Sequence, residues 1–87
     1  MQILIKIKSG DSVNQVKLTP NPGKELELST PLRIWHDMRT VPAAAGRDLR
    51  HWKVLRRGQK FTGLANDEGP RLGDKDEVTF VVSPPSH

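Results

Sequence analysis

Cysteine is absent from the 87 residues of this chain. Its absence excludes disulfides, cysteine-ligated zinc, iron–sulfur clusters and thiol chemistry, and it accords with a reducing compartment. Tyrosine is absent too, and the aromatic set is two Trp and two Phe, too few for a platform on which successive bases would stack. No apolar run approaches the ~20 residues that a bilayer-spanning helix needs. The opening Met1-Gln2-Ile3-Leu4-Ile5-Lys6-Ile7-Lys8 breaks its apolar stretch with lysines, whereas a signal peptide needs an uninterrupted hydrophobic segment. The sequence therefore predicts a cytoplasmic protein with no membrane insertion. Its length and its 34% hydrophobic content allow one core and a net stability of roughly 5–10 kcal/mol. Little remains to tolerate a large cavity or a strained active site.

Charge is present and unevenly spread, with a formal net value of +4. Arg47, Arg50, Lys53, Arg56, Arg57 and Lys60 are opposed over their span by Asp48 alone. From residue 67 to 77 the sign reverses, with Asp67, Glu68, Asp74, Asp76 and Glu77 against Arg71 and Lys75. Such asymmetry bears on partners and association rates rather than on fold.

Period-two alternation opens the chain, with Met1, Ile3, Ile5 and Ile7 on one side of a predicted strand. A strand that begins at the terminus is expected to be tied into a sheet, since free termini fray. Ser9-Gly10-Asp11-Ser12 reads as a turn, and Val13 to Leu18 as the returning arm with Val16 and Leu18 inward. Two prolines in Thr19-Pro20-Asn21-Pro22-Gly23 forbid regular pairing. Lys24 to Leu28 alternates again, either as a further short strand or as the true second strand. Ser29-Thr30-Pro31 is the clearest helix start: a hydroxyl N-cap followed by a proline whose missing amide has no partner to lose. That helix is expected to run to Arg39 or Thr40 and stop before Pro42, with Leu32, Trp35 and Met38 or Arg39 inward and Ile34 paired with Met38. Residues 41–50 read as a loop with room for one helical turn. His51 to Arg57 reads as a strand, Arg57-Gly58-Gln59 as a tight turn and Lys60-Phe61-Thr62 as a short return. After a loop from Gly63 and a polar turn at Gly73-Asp74-Lys75-Asp76, Glu77 to Val82 is the strongest strand, ended by Pro84-Pro85.

In this order, hairpin, helix, loop, strand, turn and closing strand, the chain resembles the ubiquitin superfamily. The motifs are Met1-Gln2-Ile3, Lys53-Val54-Leu55-Arg56-Arg57-Gly58-Gln59-Lys60-Phe61, and Leu72-Gly73-Asp74-Lys75-Asp76-Glu77-Val78 leading into Thr79-Phe80-Val81-Val82. The resemblance implies an α+β fold, a ubiquitin-like β-grasp whose mixed sheet of four to five strands packs on one helix. It implies a domain over residues 1–82 and a disordered tail over 83–87. Conjugated modifiers and sulfur carriers end in Gly-Gly, because the terminal carboxylate must enter a narrow adenylating site. This sequence ends Ser83-Pro84-Pro85-Ser86-His87, so a non-conjugated member is expected. Lys-Val-x-x-x-Gly-Gln and the acidic turn are also similar to the small ubiquitin-like accessory proteins of bacterial type VII secretion systems.

The residues that carry chemistry form no characteristic set. His36, His51 and His87 stand at no metal-ligand spacing and read as surface histidines. Asp74, Asp76 and Glu77 lack the ligand ladder of a calcium loop and read as a solvated turn entering an edge strand. Gly58, Gly63, Gly69 and Gly73 match neither a phosphate-binding loop nor a dinucleotide fingerprint. The inventory thus predicts no enzyme, cofactor or metal, and a non-catalytic protein–protein interaction module: an adaptor or accessory subunit of a larger bacterial assembly. Auxiliary subunits of multicomponent oxygenases use ubiquitin-like folds as well, and the sequence does not separate the two.

By analogy with the superfamily's partner-binding surface, Leu4, Leu55 and Val81 are expected on the outer sheet face, ringed by Lys6, His51, Lys53 and Arg57. An apolar centre with a basic rim is ordinary interface anatomy, and a basic rim would suit an acidic protein partner. The alternative is a small nucleic-acid-binding protein that uses Arg47–Lys60 against phosphates. In that reading residues 42–57 form one helix, with Ala45, Leu49, Trp52 and Leu55 buried and the arginines opposite, as in a recognition helix. Gly46 and the β-branched Val54 argue against such a helix.

Overall fold

Isoleucines at every second position build the first strand, β1 (Ile3–Ser9). The computed structural model describes residues 2–19 and 29–84. In it, Ile3, Ile5 and Ile7 are wholly buried while Leu4, Lys6 and Lys8 face the other way. A two-residue turn returns the chain as β2 (Ser12–Leu18), paired antiparallel from Ser9↔Ser12 to Ile3↔Leu18. Val16 and Leu18 lie partly buried at the margin of the core. The segment 20–28, including the expected strand at 24–28, and the tail from residue 85 lie outside the described residues.

Thr30 caps the helix α1 (Pro31–Asp37): its hydroxyl accepts from the Arg33 amide, and Pro31 occupies the first turn. Beyond Asp37 the helix tightens into a 3₁₀ turn, Met38–Thr40, consistent with the approach to Pro42. The inward stripe is Pro31, Ile34, Trp35 and Met38. Trp35, Met38 and Ile34 face inward as expected, while Leu32 is only half-buried, its expected place taken by Pro31, and Arg39 is exposed. Residues 42–46 form turns that bury Ala44.

Two further strands follow, β3 (Leu49–Arg56) and β4 (Gln59–Leu64), and the last strand is β5 (Glu77–Val82). The helix 42–57 of the alternative reading is therefore corrected: the stretch is turns plus β3. Trp52 and Val54 alternate inward while Lys53 and Leu55 point outward, a period of two that a helix cannot present. The β3–β4 turn is Arg57-Gly58, both at positive φ (45° and 81°), the geometry of the two-residue turn that matches strand twist.

The strands form one mixed five-stranded sheet in the order β2-β1-β5-β3-β4. The closing strand is thus central and not an edge, pairing parallel with β1 and antiparallel with β3. Its burial accounts for the strength of its apolar run: Val78, Phe80 and Val82 are each at most 3% exposed. The α1 helix covers the inner face, where Trp35 meets Phe80 at a centroid distance of 5.3 Å, tilted by 53°. The described residues are α+β, one short helix on a mixed sheet. Among the described residues no helix is long and apolar enough to cross a membrane.

A long connection, residues 65–76, is held by contacts that sequence spacing does not show. The Trp52 indole donates to the Asp67 carbonyl at 3.0 Å. Leu72 is buried and its amide donates to the Ser29 carbonyl at 2.9 Å. Asp76 is 2% exposed and receives a two-pronged contact from Arg56, with Nε 3.0 Å from Oδ1 and Nη2 2.6 Å from Oδ2, plus the Gly73 amide at 2.8 Å. The Arg56 pKa is raised, first by this hydrogen bond and opposed by desolvation. The polar turn is therefore not uniformly solvated. Asp76 is its buried anchor, because a carboxylate with three donors can leave water. Asp74 caps the start of the sheet instead, accepting from the Gln2 amide at 2.8 Å.

Candidate functional site

Because side chains in a strand alternate between faces, the pairing registers define which residues meet on the outer face, away from α1. Three transverse rows result. The first runs Lys17, Leu4, Glu77, Leu55, Lys60; the second Gln15, Lys6, Thr79, Lys53, Thr62; the third Val13, Lys8, Val81, His51, Leu64.

Leu4, Leu55 and Val81 share this face, but they do not form one apolar centre. Glu77 separates Leu4 from Leu55 within the first row, and the second row lies between these two and Val81. Four residues of strand separate the first row from the third, about 13 Å at the usual rise. The expected apolar centre with a basic rim is therefore corrected to an interleaved surface. Lys6, Lys53 and His51 lie within the rows, whereas Arg57 sits in the β3–β4 turn beyond the last paired residues.

The register also gathers lysines from four strands. Lys6, Lys8, Lys17, Lys53 and Lys60 share the rows with a single acid, Glu77. The one ion pair among the described residues is Arg56–Asp76, so these lysines have no acidic partner within the described protein. Among the described residues, Leu55, Val13 and Leu64 are the exposed large hydrophobics, at 40%, 50% and 65%, and all three lie on this face. Over the middle of the sheet lies a shallow trough of about 210 Å³, lined by Lys6, Lys53, Leu55, Lys60, Glu77 and Thr79.

The basic run Arg47–Lys60 does not survive as a surface. Arg56 turns to Asp76, Arg50 lies exposed at the β3 irregularity between Leu49 and His51, Arg57 is at the turn, and Lys53 and Lys60 join the outer face. His51 is not a plain surface histidine, since its Nε2 is buried without a hydrogen-bond partner. Both Trp side chains and Phe80 are buried inward, and Phe61 packs against the core, so the outer face offers no Trp or Phe ring for stacking. Among the described residues no three His, Asp or Glu side chains converge to hold a metal ion.

Sequence reasoning missed Lys8, Lys17, Lys60, Val13 and Leu64 as members of the face. The hairpin register was the usable signal: with the turn fixed at Gly10-Asp11, Lys17 must fall opposite Leu4 and Val13 opposite Lys8. Comparison with protein-family models, with curated proteins and with solved structures finds no match for this chain.

Proposed function

We propose that this chain is a ubiquitin-like β-grasp module that binds another protein through the outer face of its sheet. The observation that carries the reading is the face itself: five lysines without an acidic partner among the described residues, interleaved with exposed Leu55, Val13 and Leu64. Interfaces combine apolar contact with charge complementarity in this manner. The strand order, the parallel β1–β5 pair at the centre and the single helix across one face support the β-grasp reading. The preference for binding over catalysis rests on the sequence, in which no nucleophile–base pair or ligand set stands at a characteristic spacing. On the same motifs, the role of adaptor or accessory subunit in a bacterial assembly is the biological setting we favour.

Replacing Leu55 and Val81 together by aspartate tests the reading. The variant should fold, since both side chains lie on the outer face, and it should lose capture of the partner that the unaltered protein retains. Undiminished capture by a folded variant would exclude this face. A second reading, a nucleic-acid contact surface, draws on the same lysines, and salt-dependent binding of DNA measured by fluorescence anisotropy tests it. It is the weaker one because the face has no Trp or Phe ring and places Glu77 beside the lysines.

A further inference from the structure

The trough on the outer face has a shape and a charge pattern that select among partners. We propose that it takes an extended acidic peptide segment laid lengthwise over β5, with carboxylates reaching sideways to Lys6 and Lys8 on one side and Lys53 on the other. This rests on the reading of the outer face as an interface and names the chemistry of its occupant. The trough's floor on the central strand is Glu77 and Thr79, Val81 continues that strand's outer face beyond it, and the side chains of β1 and β3 stand one strand away on either side. Neighbouring strands lie about 4.8 Å apart, so those side chains stand on backbones roughly 9.6 Å apart. A helix with its side chains measures about 10–12 Å across and would rest on top of the lysines. An extended chain occupies about one strand spacing and fits between them.

Charge and period agree with that seat. Lys6 and Lys8 are two residues apart on one strand, a repeat of about 6.7 Å, which is also the spacing of alternate residues in an extended ligand. Carboxylates on alternate positions therefore meet Lys6 and Lys8 in turn, while the intervening position faces Lys53. At the Glu77 end the pattern changes: Leu4 and Leu55 flank the acid, so the ligand should carry an apolar residue there and no carboxylate. The same Glu77 opposes a polynucleotide, whose phosphates repeat without a gap.

The probe is a short synthetic peptide with glutamate at three consecutive positions, which face Lys6, Lys53 and Lys8 in turn, and with a leucine closing one end. Its controls are the glutamine counterpart and single-stranded oligothymidylate, each titrated into the full chain and followed by backbone amide shifts. The glutamate peptide should perturb Lys6, Lys53, Thr79 and Val81, and should bind about tenfold or more tightly than the glutamine peptide at low salt, the sum of several exposed ion pairs. Lys6→Glu with Lys53→Glu should abolish that binding and transfer preference to the peptide in which lysine replaces the three glutamates. A merely structural role for these lysines would not produce the reversal. Equal binding of the glutamate and glutamine peptides would overturn the proposal, as would shifts confined to β2 or β4, or tighter binding of oligothymidylate to the same rows. If the peptide fails while Leu55→Asp with Val81→Asp still costs partner capture, the acidic-segment proposal falls and the interface reading stands. If that variant also captures its partner unchanged, both fall.

Discussion

Gly63→Ala would insert one methyl group where the fold has no room for it. Gly63 lies in β4 opposite Trp52, and a Cβ there would stand 2.3 Å from the indole Cζ2 and 2.6 Å from Cε2. Carbon atoms in contact prefer about 3.5–4.0 Å, so the ring or the strand must yield by more than about 1 Å. The ring is poorly placed to move. It is 3% exposed, its Nε1 is tied to the Asp67 carbonyl at 3.0 Å, and the backbone at Gly69 crowds it so closely that a Cβ there would lie 2.7 Å from the same Cζ2. Overpacking of this kind costs about 1–3 kcal/mol, and loss of the indole hydrogen bond adds about 1 kcal/mol. Alanine offsets about 0.5–1 kcal/mol through its smaller backbone entropy loss in a strand. The net expectation is a loss of about 1–3.5 kcal/mol, or roughly 4–28 °C in Tm for a domain of this size. Gly73→Ala is the control, because a Cβ there meets nothing within 4 Å, so it should leave stability unchanged or raise it by up to about 1 kcal/mol. Urea and thermal unfolding of both variants, followed by far-UV circular dichroism with tryptophan fluorescence, provide the comparison. If the two variants unfold within about 0.5 kcal/mol of each other, the clamp on Trp52 is not what the geometry says it is.

The Arg56–Asp76 pair should respond asymmetrically to deletion. Arg56→Ala leaves a carboxylate that is 2% exposed without its cation and should cost about 3–5 kcal/mol. Asp76→Asn leaves an arginine that is 35% exposed and can rehydrate, so about 2 kcal/mol is expected. Chemical denaturation measures both, and a reversed order would contradict the burial argument. Arg57 holds φ 45° beside Gly58, a region that costs most side chains roughly 1–2 kcal/mol, so Arg57→Asn should raise stability by about 0.5–1 kcal/mol in the same assay.

Much of the fold was legible because its signals are local. The isoleucines of β1 mark a strand through period alone, Thr30-Pro31 marks a helix start through capping chemistry, and Arg57-Gly58 marks a hairpin turn. What was not legible depends on pairs distant in sequence. The central place of β5 follows from its parallel register with β1, Leu4↔Glu77 to Lys8↔Val81, which no window along the chain contains. The burial of Asp76 depends on Arg56, twenty residues earlier, and without that partner an acid between Lys75 and Glu77 reads as solvated. Gly63 and Gly69 read as loop glycines until Trp52 is placed against both.

The candidate site shows the same division most sharply. Six cations between Arg47 and Lys60 form the densest run in the sequence, and proximity along the chain suggests a common surface. A strand cannot honour that suggestion, since successive side chains leave on opposite faces. Arg56 accordingly goes to the Asp76 anchor while Lys53 and Lys60 go to the outer face. Conversely, Lys6, Lys8 and Lys17 look like the ordinary polar half of an alternating hairpin, yet the sheet sets them in rows with Lys53 and Lys60. The cationic surface of this protein is therefore a product of register and not of the basic run. It follows that Lys6→Glu should alter binding at the outer face more than Arg47→Glu or Arg50→Glu, although the latter lie in or beside the basic run. Titration of the three folded variants with the glutamate peptide decides the matter. Equal losses in all three would return the function to net charge, and a loss confined to Lys6→Glu would assign it to the rows.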